Sequence, residues 1–110
     1  MHSDLGLRES DLKIILDLLQ SEKAVEQAIV FGSRAKGNYR NGSDVDIALK
    51  GKNLDFRIVS HLSYLLNEET PLPYRFDLLN YQTLNNDALK EHIDRVVKEI
   101  YSVGKIRILY

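Results

Sequence analysis

Ala28-Ile-Val-Phe-Gly-Ser-Arg-Ala-Lys-Gly37, followed after a short polar loop by Gly42-Ser-Asp-Val-Asp-Ile-Ala-Leu49, is the stretch from which the rest of the chain is read. An apolar run enters a Gly-Ser turn. A second apolar run opens with two aspartates on alternate residues. Alternate residues of a strand point to one face, so Asp44 and Asp46 can aim their carboxylates at one spot beside the Gly32-Ser33 backbone. A metal-bound triphosphate asks for that combination: oxygen ligands for Mg²⁺ and a loop that phosphate oxygens can approach closely. Taken alone, the same residues also suit a solvated polar strand end, since Asn-Gly-Ser-Asp is a common turn composition.

Working outward, Leu12, Ile15, Leu16 and Leu19 form one helical stripe behind Ser10, a candidate N-cap. Val25 to Phe31 is the first strand. Ser33 to Lys36 is one helical turn, closed by Gly37. Val45 to Leu49 is the second strand. A helix from Leu54 to about Glu68, capped by Asn53, is expected to bury Phe56, Val59, Leu62 and Leu66, with Ile58 and Leu65 beside them. Pro71 and Pro73 punctuate its exit. Tyr74 to Leu79 is the third strand. A helix from Asn85 or Asn86 to about Ser102 turns Leu89, Ile93, Val96, Val97 and Ile100 inward and ends at Gly104. Lys105 to Tyr110 alternates weakly and suits a short last strand. The pattern is an α+β (α/β) fold, a small mixed sheet of three to four strands with helices packed against it. Periodicity leaves the strand directions open.

At 110 residues, the chain suits a single domain with one core. No apolar run approaches the ~20 residues of a membrane helix, and the N-terminus has no signal-peptide pattern. The absence of cysteine excludes thiolate chemistry and disulfides and fits a cytoplasmic protein. Fifteen basic residues against sixteen acidic ones give a net charge of −1. That balance speaks against binding long nucleic acid, which calls for a basic face.

Asp77 stands mid-strand between Phe76 and Leu78. A charge there wants a metal, a base role or a partner, and Arg75 is the ordinary candidate for the partner. If the third strand lies beside the second, Asp77 becomes a third carboxylate at the same spot. Gly32 permits close backbone approach, and Ser33 offers a hydroxyl and an amide to phosphate. Arg34, Lys36 and Arg40 lie in the same connection. Arg34 is taken as nucleotide-binding with Gly32 and Ser33, and the other two as exposed loop charges. Tyr39 is placed to touch a base. His2, His61 and His92 lack metal-ligand spacing, and surface or core-edge roles are expected for them.

Phe31-Gly-Ser-Arg-Ala-Lys-Gly with Ser43-Asp-Val-Asp-Ile, and the later Phe76-Asp77-Leu78, resemble the signature of the DNA polymerase beta nucleotidyltransferase superfamily. The chain is similar in size to the minimal nucleotidyltransferase (MNT) group. The resemblance implies a polymerase-beta palm-like fold and two-metal chemistry. Asp44 and Asp46 would hold Mg²⁺ on ATP, and Asp77 would be third ligand and candidate base. Gly32 and Ser33 would hold the phosphates. It further implies antitoxin action: AMP attached to a tyrosine of a partner HEPN-domain ribonuclease toxin. With so short a chain, the acceptor is expected to be brought by another molecule. Two other readings are a catalytically inactive module that neutralises its partner by contact, and a small-molecule nucleotidyltransferase.

Overall fold

The run ending at Phe31 forms β1 (Gln27–Phe31) and the run opening at Val45 forms β2 (Val45–Lys50). The computed structural model describes residues 5–40, 42–96 and 98–103. It pairs these strands antiparallel, with Phe31 opposite Asp46 and Gln27 opposite Lys50. The connection that sequence left open is therefore a return. It contains α2 (Ser33–Lys36), closed by Gly37 in the left-handed conformation. α1 (Glu9–Gln20) precedes β1, and α3 (Phe56–Glu68) carries the chain from β2 to β3 (Phe76–Asn80), which lies parallel to β2. A 3-10 turn, Tyr81–Thr83, leads to α4 (Asp87–Val96), and β4 (Glu99–Ser102) pairs antiparallel with β1. The sheet is mixed, in the order β3-β2-β1-β4.

Strand alternation splits the core in two. Val30, Val45, Ile47, Leu49 and Phe76 join Leu12, Ile15, Leu16 and Leu19 of α1 and Val59, Leu62 and Leu66 of α3 in the larger cluster. Ile29, Phe31 and Ala48 meet Ile93 of α4, with Leu79 and Leu89 packed beside them. Fully burying each large aliphatic side chain contributes about 1.5–3 kcal/mol. Both faces of the central strands are covered, so β1 and β2 read as nearly continuous apolar runs. Because Ala48 faces α4, the alternate residues Asp44 and Asp46 are assigned to that face by the pleat.

Four sequence expectations are corrected. The last helix does not run to Ser102: α4 ends at Val96 and Ile100 lies in β4. The apolar positions fit a helix as well as a strand. Pairing decides, because β1 would otherwise leave a row of unbonded backbone groups at a sheet edge. Asp55, not Asn53, caps α3, its carboxylate accepting from the Ile58 amide at 2.9 Å. The helix begins two residues later than expected, and Phe56, its first residue, lies on the outer face and is 82% exposed. At α1 the cap position is Arg8, with no side-chain cap, so Ser10 lies inside the helix. Val97, Gly104 and the expected strand from Lys105 to Tyr110 lie outside the described residues.

Candidate active site

Three aspartates lie at the end of the sheet where β1 finishes and β2 and β3 begin. In the parallel β2–β3 ladder Asp46 stands directly across from Asp77, and in the antiparallel β1–β2 ladder it stands across from Phe31, next to Gly32. Asp44 precedes β2 by one residue and is exposed, as is Asp77, whereas Asp46 is half-buried. Among the described residues, none of the three carboxylates accepts a hydrogen bond or pairs with a basic side chain. Arg75 therefore does not play the partner role open to it on sequence.

Burial holds the Asp46 carboxyl above its ordinary range, and the neighbouring charges of Asp77 and then Asp44 push it further up. Like charges gathered without a counter-charge disfavour ionisation; a divalent cation would reverse that. The carboxylates do not form a finished cage, since among the described residues no group of three acidic, His or Cys side chains is close enough to hold a metal. Mg²⁺ is commonly held by one or two carboxylates completed by substrate phosphate oxygens. The donor set fits an ion that arrives with its triphosphate better than a resident one.

The turn facing these groups depends on Gly32. Its φ of +76° and ψ of −152° belong to backbone that L side chains rarely adopt, and a Cβ there would collide with Oδ2 of Asp46. The Gly32 carbonyl accepts from the Lys36 amide at 3.1 Å, which starts α2. Ser33 is the first helical residue, and no side chain caps this helix. The Ser33 hydroxyl makes no hydrogen bond among the described residues. It is half-buried, with its donor and acceptor uncommitted.

Arg34 is placed differently from expectation. It is 2% exposed, and its guanidinium donates to the carbonyls of Leu5 (3.0 Å), Gly6 (3.2 Å) and Ser43 (3.0 and 3.3 Å). The rings of Tyr39 and Tyr74 flank it at 5.2 and 5.1 Å. Tyr74 donates in turn to the buried carboxylate of Asp11 at 2.6 Å. The cation that sequence assigned to nucleotide instead ties the segment before α1 to the loop before β2. Tyr39, expected near a base, belongs to the same clasp. Lys36 and Arg40 are exposed, as read. Arg34→Ala is expected to lower stability by about 3 kcal/mol, from hydrogen bonds to a charged donor and two cation–π contacts. Thermal unfolding checks this; an unchanged melting temperature with weakened ATP binding would return Arg34 to the phosphates.

For His92 the sequence suggests only a surface or core-edge role. The structure sets it on α4 with Nε2 accepting from the Gly32 amide at 3.0 Å, its ring edge-on to Phe31 with centroids 6.3 Å apart. Burial lowers its pKa, helped by the charges of Lys36 and Arg95. The available signal was a histidine next to inward-facing Ile93; nothing in the sequence said that α4 crosses the end of β1.

The chain matches the family described as Polymerase beta, Nucleotidyltransferase over residues 13–105. It is 29% identical over 102 residues to the Haemophilus influenzae "Probable protein adenylyltransferase MntA", covering 92% of this chain and 84% of that one. Among solved structures, a toxin-antitoxin with AMP-PNP shares the fold with a TM-score of 0.69 at 22% identity, over 83% of this chain and 73% of that one. So does a tri-AMPylated Shewanella oneidensis HEPN toxin in complex with MNT antitoxin, with a TM-score of 0.67 at 19% identity, over 90% and 76%. A family match across most of the length, on a sheet that sets a Gly-Ser turn beside Asp-x-Asp, means that this chain belongs to the polymerase beta nucleotidyltransferase family.

Proposed function

We propose that this protein transfers AMP from ATP, with Mg²⁺, to a tyrosine hydroxyl of a partner HEPN-type toxin in the cytoplasm, and so acts as its antitoxin. The observation that carries the reading is Asp46 in register with Asp77 and against Gly32, which sets unpaired carboxylates beside a close-approach turn at one sheet end. The H. influenzae relative's name and the HEPN and AMP-PNP complexes among the structural relatives support the acceptor and the nucleotide.

In this reading Asp44 and Asp46 hold Mg²⁺ together with the triphosphate. The ion supplies charge neutralisation at the phosphate oxygens. Gly32 gives the phosphates room, and the Ser33 hydroxyl and amide bind them. Asp77, on the sheet edge, is third ligand and base. The acceptor oxygen bonds to the α-phosphorus, the bond to pyrophosphate breaks, and the hydroxyl proton leaves toward Asp77. Catalysis is chiefly positioning and electrostatics.

Parallel reactions with α-labelled and γ-labelled ATP test the reaction class, using a HEPN-type toxin as acceptor. Label from the α position alone should appear on the partner. Label from the γ position would indicate phosphoryl transfer. Neutralisation of the toxin with no label from either would favour action by contact.

A further inference from the structure

We propose that His92 is a positioning residue for the nucleotide, its Nε2 fixing the Gly32 peptide so that the Ser33 hydroxyl and amide face the phosphates; this rests on the nucleotidyltransferase reading above.

The Gly32 amide is the pivot of the turn. It begins a residue whose positive φ disfavours a side chain and where a Cβ would meet the Asp46 carboxylate. Its carbonyl is already committed to Lys36. The orientation of the preceding peptide is therefore set by the partner that its N–H finds, and that partner is His92, sixty residues away in sequence. The imidazole is itself held. It is edge-on to Phe31, the last residue of β1, and it follows the stripe that packs Leu89 and Ile93 against Ile29, Phe31 and Ala48. An acceptor at Nε2 requires a neutral ring with its proton on Nδ1. The two cations that bear on the ring, Lys36 from the phosphate turn and Arg95 from its own helix, favour that state, as does burial. The chain thus links α4, the phosphate turn and Asp46 in series.

His92→Phe keeps an aromatic ring against Phe31 and removes the acceptor; His92→Gln keeps an acceptor at a similar reach. In protein without nucleotide, hydrogen exchange at the Gly32 amide should quicken about three- to tenfold in His92→Phe, the worth of one neutral hydrogen bond. It should stay near wild type in His92→Gln, and the melting temperature of His92→Phe should fall by no more than the few degrees that one such bond is worth. With ATP, Mg²⁺ and partner, His92→Phe should raise the KM for ATP by a similar factor with little change in kcat, and His92→Gln should restore it. Unchanged Gly32 exchange in His92→Phe would overturn the proposal, whatever the activity. So would tighter ATP binding by His92→Phe, because it would mean that His92 competes with phosphate for the amide. If wild type shows Gly32 protection that depends on His92 but binds no ATP, the nucleotidyltransferase reading fails and the contact stands as structural only.

Discussion

Asp46→Asn is expected to abolish AMP transfer, with a fall of about a thousandfold or more, and at the same time to raise the melting temperature of the metal-free protein. The two effects have one cause. Asp46 is half-buried between β1 and β3, its ionised form opposed by burial and by Asp77 and Asp44. An amide removes that penalty while the strand pairing stays as it is. It also removes a ligand, and a metal's charge stabilisation at a phosphoryl centre amounts to several kcal/mol, with each ~1.4 kcal/mol worth tenfold in rate. Residues arranged for reaction often cost stability in this way. Thermal unfolding with and without Mg²⁺ plus a non-hydrolysable ATP analogue separates the terms. The ligands should stabilise wild type by mass action and leave Asp46→Asn unmoved. A mutant that melts lower than wild type without metal would show that Asp46 is a structural residue.

The second large effect is expected for Gly32→Ala. The left-handed φ carries a backbone penalty of about 1–3 kcal/mol for a residue with a Cβ, and here the added carbon also meets the Asp46 carboxylate. The side chain must swing away or the turn must shift. Either response displaces a reacting group, and a displacement near 1 Å can cost about a hundredfold in rate. Gly37→Ala is the matched control. Its φ is +84°, but a Cβ there meets nothing within 4 Å. It should lose stability of the same order while keeping most of its activity. Equal activity losses for the two variants would remove Asp46 from the explanation.

The elements were legible where local pattern and tertiary demand agree. The stripe of α1, the strands around the Gly-Ser turn, the single turn of α2 and its glycine stop all stand as the sequence suggests. The candidate site was legible in part because its members are near in sequence or lie on strands. Asp44 and Asp46 share a face by alternation alone. That Asp77 stands opposite Asp46 needed the parallel register of β3, which is fixed by contacts distant in sequence: Asn67 of α3 bonds both backbone groups of Phe76, and the Arg75 carbonyl accepts from the Val45 amide. Phe56 has the spacing of a core residue, but the cap lies two residues on, at Asp55, and Phe56 opens the helix on its exposed side. Ile100 suited a helix until β1 required a partner. Arg34 was misread, and the Gly32 contact of His92 was missed, for a common reason. Each acts through a contact distant in sequence, Arg34 with Leu5 and Gly6 and His92 with Gly32. A basic residue in a phosphate loop and a histidine beside an apolar stripe have ordinary readings that only the assembled fold can set aside.

Intact-mass spectrometry of a HEPN-type partner, after incubation with ATP and Mg²⁺ and either wild type or Asp44→Asn/Asp46→Asn, tests whether these carboxylates carry AMP transfer. The partner should gain mass in whole increments of AMP with wild type, located to a tyrosine by fragmentation, and gain none with the double mutant. AMP increments that persist with the double mutant would contradict the assignment of the reaction to the Asp44–Asp46–Asp77 site.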